Sequence, residues 1–127
     1  MKKIILLICL LLSVISFAQQ QNVTYSVSPA TFEETTSITI TINGNSVNEA
    51  AWGVTGNALY MWTWSFDIND ANSIDCPTNG IWNASNEANR FTYNSATDTY
   101  TKTFTPNVFY NRNGIGKIGF LVKAKDG

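Results

Sequence analysis

The sequence predicts an all-β domain made of two antiparallel sheets, and three observations predict it. Beyond residue 18, short β-branched and aromatic runs recur between clusters of Asn, Gly, Ser, Asp and Pro. Within several of these runs apolar and polar residues alternate, the period of a strand with one buried face. Helical periodicity is nearly absent, so nothing supplies the crossover helices of a parallel sheet.

The first eighteen residues read differently. Lys2 and Lys3 form a positive n-region, Ile4 to Ile15 an apolar h-region broken by Ser13, and Ser16-Phe17-Ala18 places small residues where a signal peptidase needs them. An apolar run of about twelve residues falls short of the roughly 20 that cross a bilayer. The expectation is a signal peptide over 1–18 that directs export through the Sec pathway, with a secreted or cell-surface product and no membrane insertion after cleavage. Cys9 lies inside the h-region behind Ile8, where a lipoprotein signal would carry a small residue. Residues 19–127 then form one domain with enough chain to bury a core.

The elements follow in order. Val23 to Ser28 alternates Val23, Tyr25 and Val27 with Thr24, Ser26 and Ser28, and Pro29 stops it. Ser37 to Asn43 is the cleanest strand, with Ile38, Ile40 and Ile42 inward, and Asn43-Gly44-Asn45 breaks it. Ala58 to Phe66 carries Tyr60, Trp62, Trp64 and Phe66 on one face and Leu59, Met61 and Thr63 on the other, as a central strand does. Residues 67–80 are polar and turn-rich, and Arg90 to Tyr93 is a short aromatic segment beyond Trp82. Asp98 to Thr105 turns Tyr100 and Phe104 inward before Pro106, and Ile115 to Ala124 sets Ile118, Phe120, Val122 and Ala124 against Lys117, Leu121 and Lys123.

Strands of this number and spacing fit an Ig-like antiparallel two-sheet β-sandwich. Asp126-Gly127 is a two-residue hairpin signal after a hydrophobic strand. The expectation is therefore a missing last strand, the chain being a fragment whose downstream domains are its partners. The alternative is an exposed edge that pairs with another chain.

Composition excludes several kinds of chemistry. The chain has no histidine, so histidine-dependent nucleophilic triads and histidine-ligated metal sites cannot be built, and the acidic residues show no acid–base pairing across a sugar. The domain is read as no enzyme. Without Lys2 and Lys3 there remain six basic residues against nine acidic ones, a formal net charge of −3, which argues against nucleic acid. Cys76 is the sole cysteine after residue 18 and is expected as a buried or half-buried free thiol.

Two features could bind ligands. Asp67, Asn69, Asp70 and Asp75 offer hard oxygens in one loop, the chemistry of a calcium site. The loop lacks the glycine and terminal glutamate of an EF-hand, and a solvated turn accumulates the same residues. The default is no cofactor. Trp52, Trp62, Trp64 and Trp82, with Tyr60, could stack on the apolar faces of sugar rings while Asn, Asp and Lys bond their hydroxyls. Because sandwiches bury a Trp on a central strand, Trp62 or Trp64, with Phe66, is expected in the core, and Trp52 and Trp82 at the surface. Coplanar exposed aromatics would mark a sugar face; burial of all four tryptophans would mark a spacer.

The succession Val23-Thr-Tyr-Ser-Val27, Ser37-Ile-Thr-Ile-Thr-Ile42, Ala51-Trp-Gly-Val-Thr-Gly56, Leu59-Tyr-Met-Trp62, Trp82, Phe91-Thr-Tyr-Asn, Tyr100-Thr-Lys-Thr-Phe104 and Ile118-Gly-Phe-Leu-Val-Lys123 resembles an Ig-like module of polysaccharide-utilising Gram-negative bacteria. Such modules accompany α-amylase-like enzymes, starch-binding lipoproteins and type IX secretion cargo. The resemblance implies a non-catalytic carbohydrate-binding-like module with a polysaccharide partner, α-glucan first, or alternatively a structural spacer or adhesion domain. It fixes no site residue, and the lipoprotein cysteine of the starch-binding relatives is missing here.

Overall fold

A computed structural model describes residues 22–127; the signal sequence expected at 1–18 lies outside the described residues. In chain order the elements are β1 (Tyr25–Ser28), β2 (Ile38–Asn43), α1 (Glu49–Trp52), β3 (Tyr60–Asp67), β4 (Ile74–Asp75), β5 (Gly80–Ile81), β6 (Ala84–Ser85), β7 (Thr92–Asn94), β8 (Thr99–Phe104), α2 (Pro106–Phe109) and β9 (Ile115–Lys123). One sheet runs β1-β2-β8-β7 and the other β4-β3-β9, with β5 and β6 forming a separate hairpin. Every pairing is antiparallel. The all-β, sandwich-like reading of the sequence holds.

The first sheet follows the alternation read from the sequence. Ile38, Ile40 and Ile42 are fully buried, opposite Phe104, Lys102 and Tyr100 of β8. They pack in one cluster with Leu59, Met61, Phe91 and Tyr110. On the solvent side the Thr39 and Thr103 hydroxyls meet at 2.7 Å, a cross-strand polar pair.

The second sheet reverses an expectation. Met61, Thr63 and Ser65 face the core and are buried, whereas Trp62, Trp64 and Phe66 are half-buried on the opposite face and stay outside the core cluster. The polar pair tolerates burial because its hydrogen bonds are made. Thr63 Oγ1 donates to the Gly119 carbonyl at 2.6 Å and takes the Tyr110 hydroxyl proton at 2.5 Å; Ser65 Oγ accepts from Arg112.

Side-chain amides finish the inner edge of β3. The Asn79 amide both accepts from Thr63 N–H at 3.1 Å and donates to its carbonyl at 2.9 Å. Asn89, fully buried, donates to the Met61 carbonyl and to Asn79 Oδ1. Two asparagines thereby satisfy backbone groups where the two-residue β4 is too short to do so.

The two one-turn helices have local causes. Asn48 caps α1 by accepting from Ala51 N–H, and Gly53 closes it at φ 70°. Pro106, which ends β8, is also the first helical residue of α2, where its missing N–H costs nothing.

Candidate functional site

Strand alternation aligns an aromatic row on the outer face of β3. Tyr60, Trp62, Trp64 and Phe66 stand opposite Lys123, Leu121, Gly119 and Lys117 of β9. Gly119 is required there, because a Cβ would lie 2.4 Å from Trp64 Cε2 and Nε1. The Trp64 indole therefore lies flat across β9. Lys117 caps the row, its ammonium 4.6 Å from the centre of the Phe66 ring.

The β5–β6 hairpin brings in the fourth tryptophan. Its two-residue loop is Trp82-Asn83, and Trp82 sits 5.2 Å from Trp62 with the rings inclined at 63°. Lys123 Nζ lies 4.9 Å from the Trp82 ring and donates to Ser85 Oγ and to the Ala124 carbonyl. Burial holds the pKa of this lysine below its ordinary value. Trp82 remains 49% exposed.

A groove of about 910 Å³ follows β9 and has two walls. The outer wall is Trp64, Leu121, Lys123 and Trp82; the inner wall is Val23, Tyr25, Trp52, Ile118, Phe120 and Val122. Tyr25 spans the gap between the sheets, its ring 5.1 Å from Phe120 and nearly perpendicular to it. Among the described residues Lys123 is the one charged side chain in the lining.

The five aromatic residues singled out from the sequence separate into three environments. Trp82, Trp62 and Trp64 share the outer face. Trp52 ends α1, packs half-buried against the core and lines the inner wall instead. Tyr60 is 1% exposed, and its hydroxyl donates to Glu87 Oε1 at 2.7 Å, so it offers no stacking surface. None of the four tryptophans is fully buried, and the Trp62–Trp82 pair is inclined rather than coplanar. Tyr25 and Gly119 belong to the site too; the Gly between Ile118 and Phe120 in a strand was the available signal for the second.

The acidic loop does not assemble a cation site. Asp67 Oδ1 accepts from the Asn69 and Ala71 N–H groups and Oδ2 from Asn72, bonds that hold its carboxyl below the usual carboxylate range. Asp70 is turned to Lys117 at 3.4 Å, and Asp75 belongs to β4. Among the described residues no three acidic, Cys or His side chains converge on a point.

The fold and site define an all-β sandwich-like protein with an aromatic groove along one edge strand. The chain matches no protein-family model, no curated protein and no solved structure.

Proposed function

We propose that this domain is a non-catalytic carbohydrate-binding module of an exported protein, holding that protein to a polysaccharide, with α-glucan the preferred sugar. The observation that carries the reading is the outward aromatic row: Trp62, Trp64 and the half-exposed Trp82 sit on one face beside Asn83 and Lys123. Indole faces match the apolar C–H faces of sugar rings, and neighbouring polar groups take the hydroxyls. Two rings inclined at 63° suit a helically curved α-linked chain, whereas a flat β-linked ribbon would need a coplanar platform. Affinity is modest, since a few stacked rings leave little surplus after association costs.

Native affinity electrophoresis of residues 19–127 through gels containing starch, xylan, mannan or no polysaccharide tests this. Retardation by starch that disappears in Trp82→Ala, with an unchanged circular dichroism spectrum, supports the reading. Equal mobility in every gel removes it and leaves the Ig-like spacer or adhesion module, the reading that the open side of β9 favours.

A further inference from the structure

The two sides of β3 are finished differently. On one side β4 and the Asn79 and Asn89 amides take its backbone groups, and the Cys76 N–H bonds the Thr63 carbonyl. On the other side β9 pairs with β3 and, among the described residues, with no further strand. Alternate residues along its nine-residue length therefore point N–H and C=O groups into the groove. The inward side chains record the same gap. Ile118, Phe120 and Val122 of β9 are half-buried, while Met61 and Thr63 of β3 and the three isoleucines of β2 are buried.

We infer that β9 is an acceptor for an extended polypeptide strand supplied by a different protein, alternating apolar with acidic and polar residues. The added strand would pair with the free edge of β9. Its apolar side chains would enter the slot between Ile118, Phe120, Val122, Tyr25 and Trp52, and its other side chains would lie on the outer face beside Lys117 and Lys123. Charge selects the acidic component. The lining carries one ammonium, Lys123, whose hydrogen-bond partners are a hydroxyl and backbone carbonyls, with no carboxylate in salt-bridge range.

A second copy of the chain fits poorly. The other edge strands of the two sheets are β1, β4 and β7, with four, two and three residues, too short to cover β9. A second β9 has its own Ile118, Phe120 and Val122 turned into its own core, so it could satisfy backbone groups but could not fill the slot. Strand addition of this kind takes affinity from the main chain and specificity from alternate side-chain pockets. It is independent of sugar binding on the outer face.

The test uses residues 19–127 and a fluorescein-labelled nine-residue peptide in which valine alternates with glutamate and threonine. Fluorescence anisotropy should show saturable binding. N-methylation of the alternate peptide nitrogens that face β9 should weaken it at least about tenfold, the consequence of losing several main-chain bonds. Replacing glutamate by lysine should weaken it at least about threefold at low salt. Hydrogen exchange should slow along 115–123 on binding. Equal affinity for the N-methylated peptide overturns the inference, as does absence of binding up to about 1 mM peptide. Concentration-dependent dimerisation that protects the β9 amides also overturns it and assigns the edge to a second copy.

Discussion

Gly119→Ala tests whether the Trp64 indole lies where the outer face requires it. The added methyl would sit 2.4 Å from two indole atoms and 2.7 Å from a third. Carbon contacts relax at about 3.5–4.0 Å, so the ring must retreat by about 1 Å or swing off β9 altogether. Overpacking of this sort costs about 1–3 kcal/mol. Alanine in a strand recovers about 0.5–1 kcal/mol relative to glycine, because the unfolded chain loses freedom. The net expectation is a loss of about 1–2 kcal/mol. In a Trp64→Ala background the obstacle is gone, only the backbone gain remains, and the same substitution should stabilise by about 0.5–1 kcal/mol. Urea unfolding followed by far-ultraviolet circular dichroism gives all four corners of the cycle without relying on tryptophan emission. The reasoning fails if Gly119→Ala has the same effect, in sign and size, in both backgrounds.

Asn79→Ala removes both bonds to Thr63 and one to Asn89, leaving the buried Thr63 N–H unpaired while its carbonyl keeps the Cys76 N–H. An orphaned buried donor costs about 1–3 kcal/mol, so the midpoint of urea unfolding should fall with little change in slope; a loss below about 0.5 kcal/mol would mean that water or a shifted strand replaces the amide. Alkali supplies a further test. Tyr100 and Tyr110 are held well above the ordinary phenol range, in both cases first by burial, with the Tyr100 hydroxyl also donating to Glu49. The unfolded chain releases these protons near pH 10 and the native chain does not, so their contribution is present below that pH and is lost as pH rises. Lys102 and Lys123, lowered by burial, act in the opposite direction, but their relief is largely complete once unfolded lysine is neutral, by about pH 11. Between about pH 11 and 12 stability should fall by about 1.4 kcal/mol per pH unit for each protected tyrosine. Absorbance at the phenolate band should lag until the circular dichroism is lost; reversible ionisation of all five tyrosines in the native state would refute this.

Much of the fold was legible because alternation is a strong signal where one face is greasy and the other is threonine. β2 and β8 follow their isoleucines and aromatics closely, and β9 divides its faces as its sequence does. The face of β3 was not legible, because hydrophobicity ranks Trp62, Trp64 and Phe66 above Thr63 and Ser65. The order is reversed by partners far away in sequence: Tyr110, Arg112 and the Gly119 carbonyl make a buried hydroxyl pair acceptable. The short elements escaped for another reason. α1, α2, β4 and the β5–β6 hairpin have two to four residues each, less than one period of any pattern. Only the Asn48 cap and Pro106 hinted at the helices. Exposure was readable for Trp82, which tips a two-residue loop, and not for Tyr60, whose burial depends on Glu87.

The inversion of β3 also bears on function. A strand that placed Trp62, Trp64 and Phe66 between the sheets would bury far more apolar area than Met61, Thr63 and Ser65 do, at about 25 cal/mol for each Å². The chain instead spends its bulkiest side chains on an outer face and keeps them half-covered by Trp82, Gly119 and Lys117. On the same side, β9 leaves its backbone edge open and its inward side chains partly wet. Each feature lowers the stability of the isolated domain. Their coincidence along one groove is what a surface completed by a ligand would show, whether a sugar over the indoles, a strand along the edge, or both together.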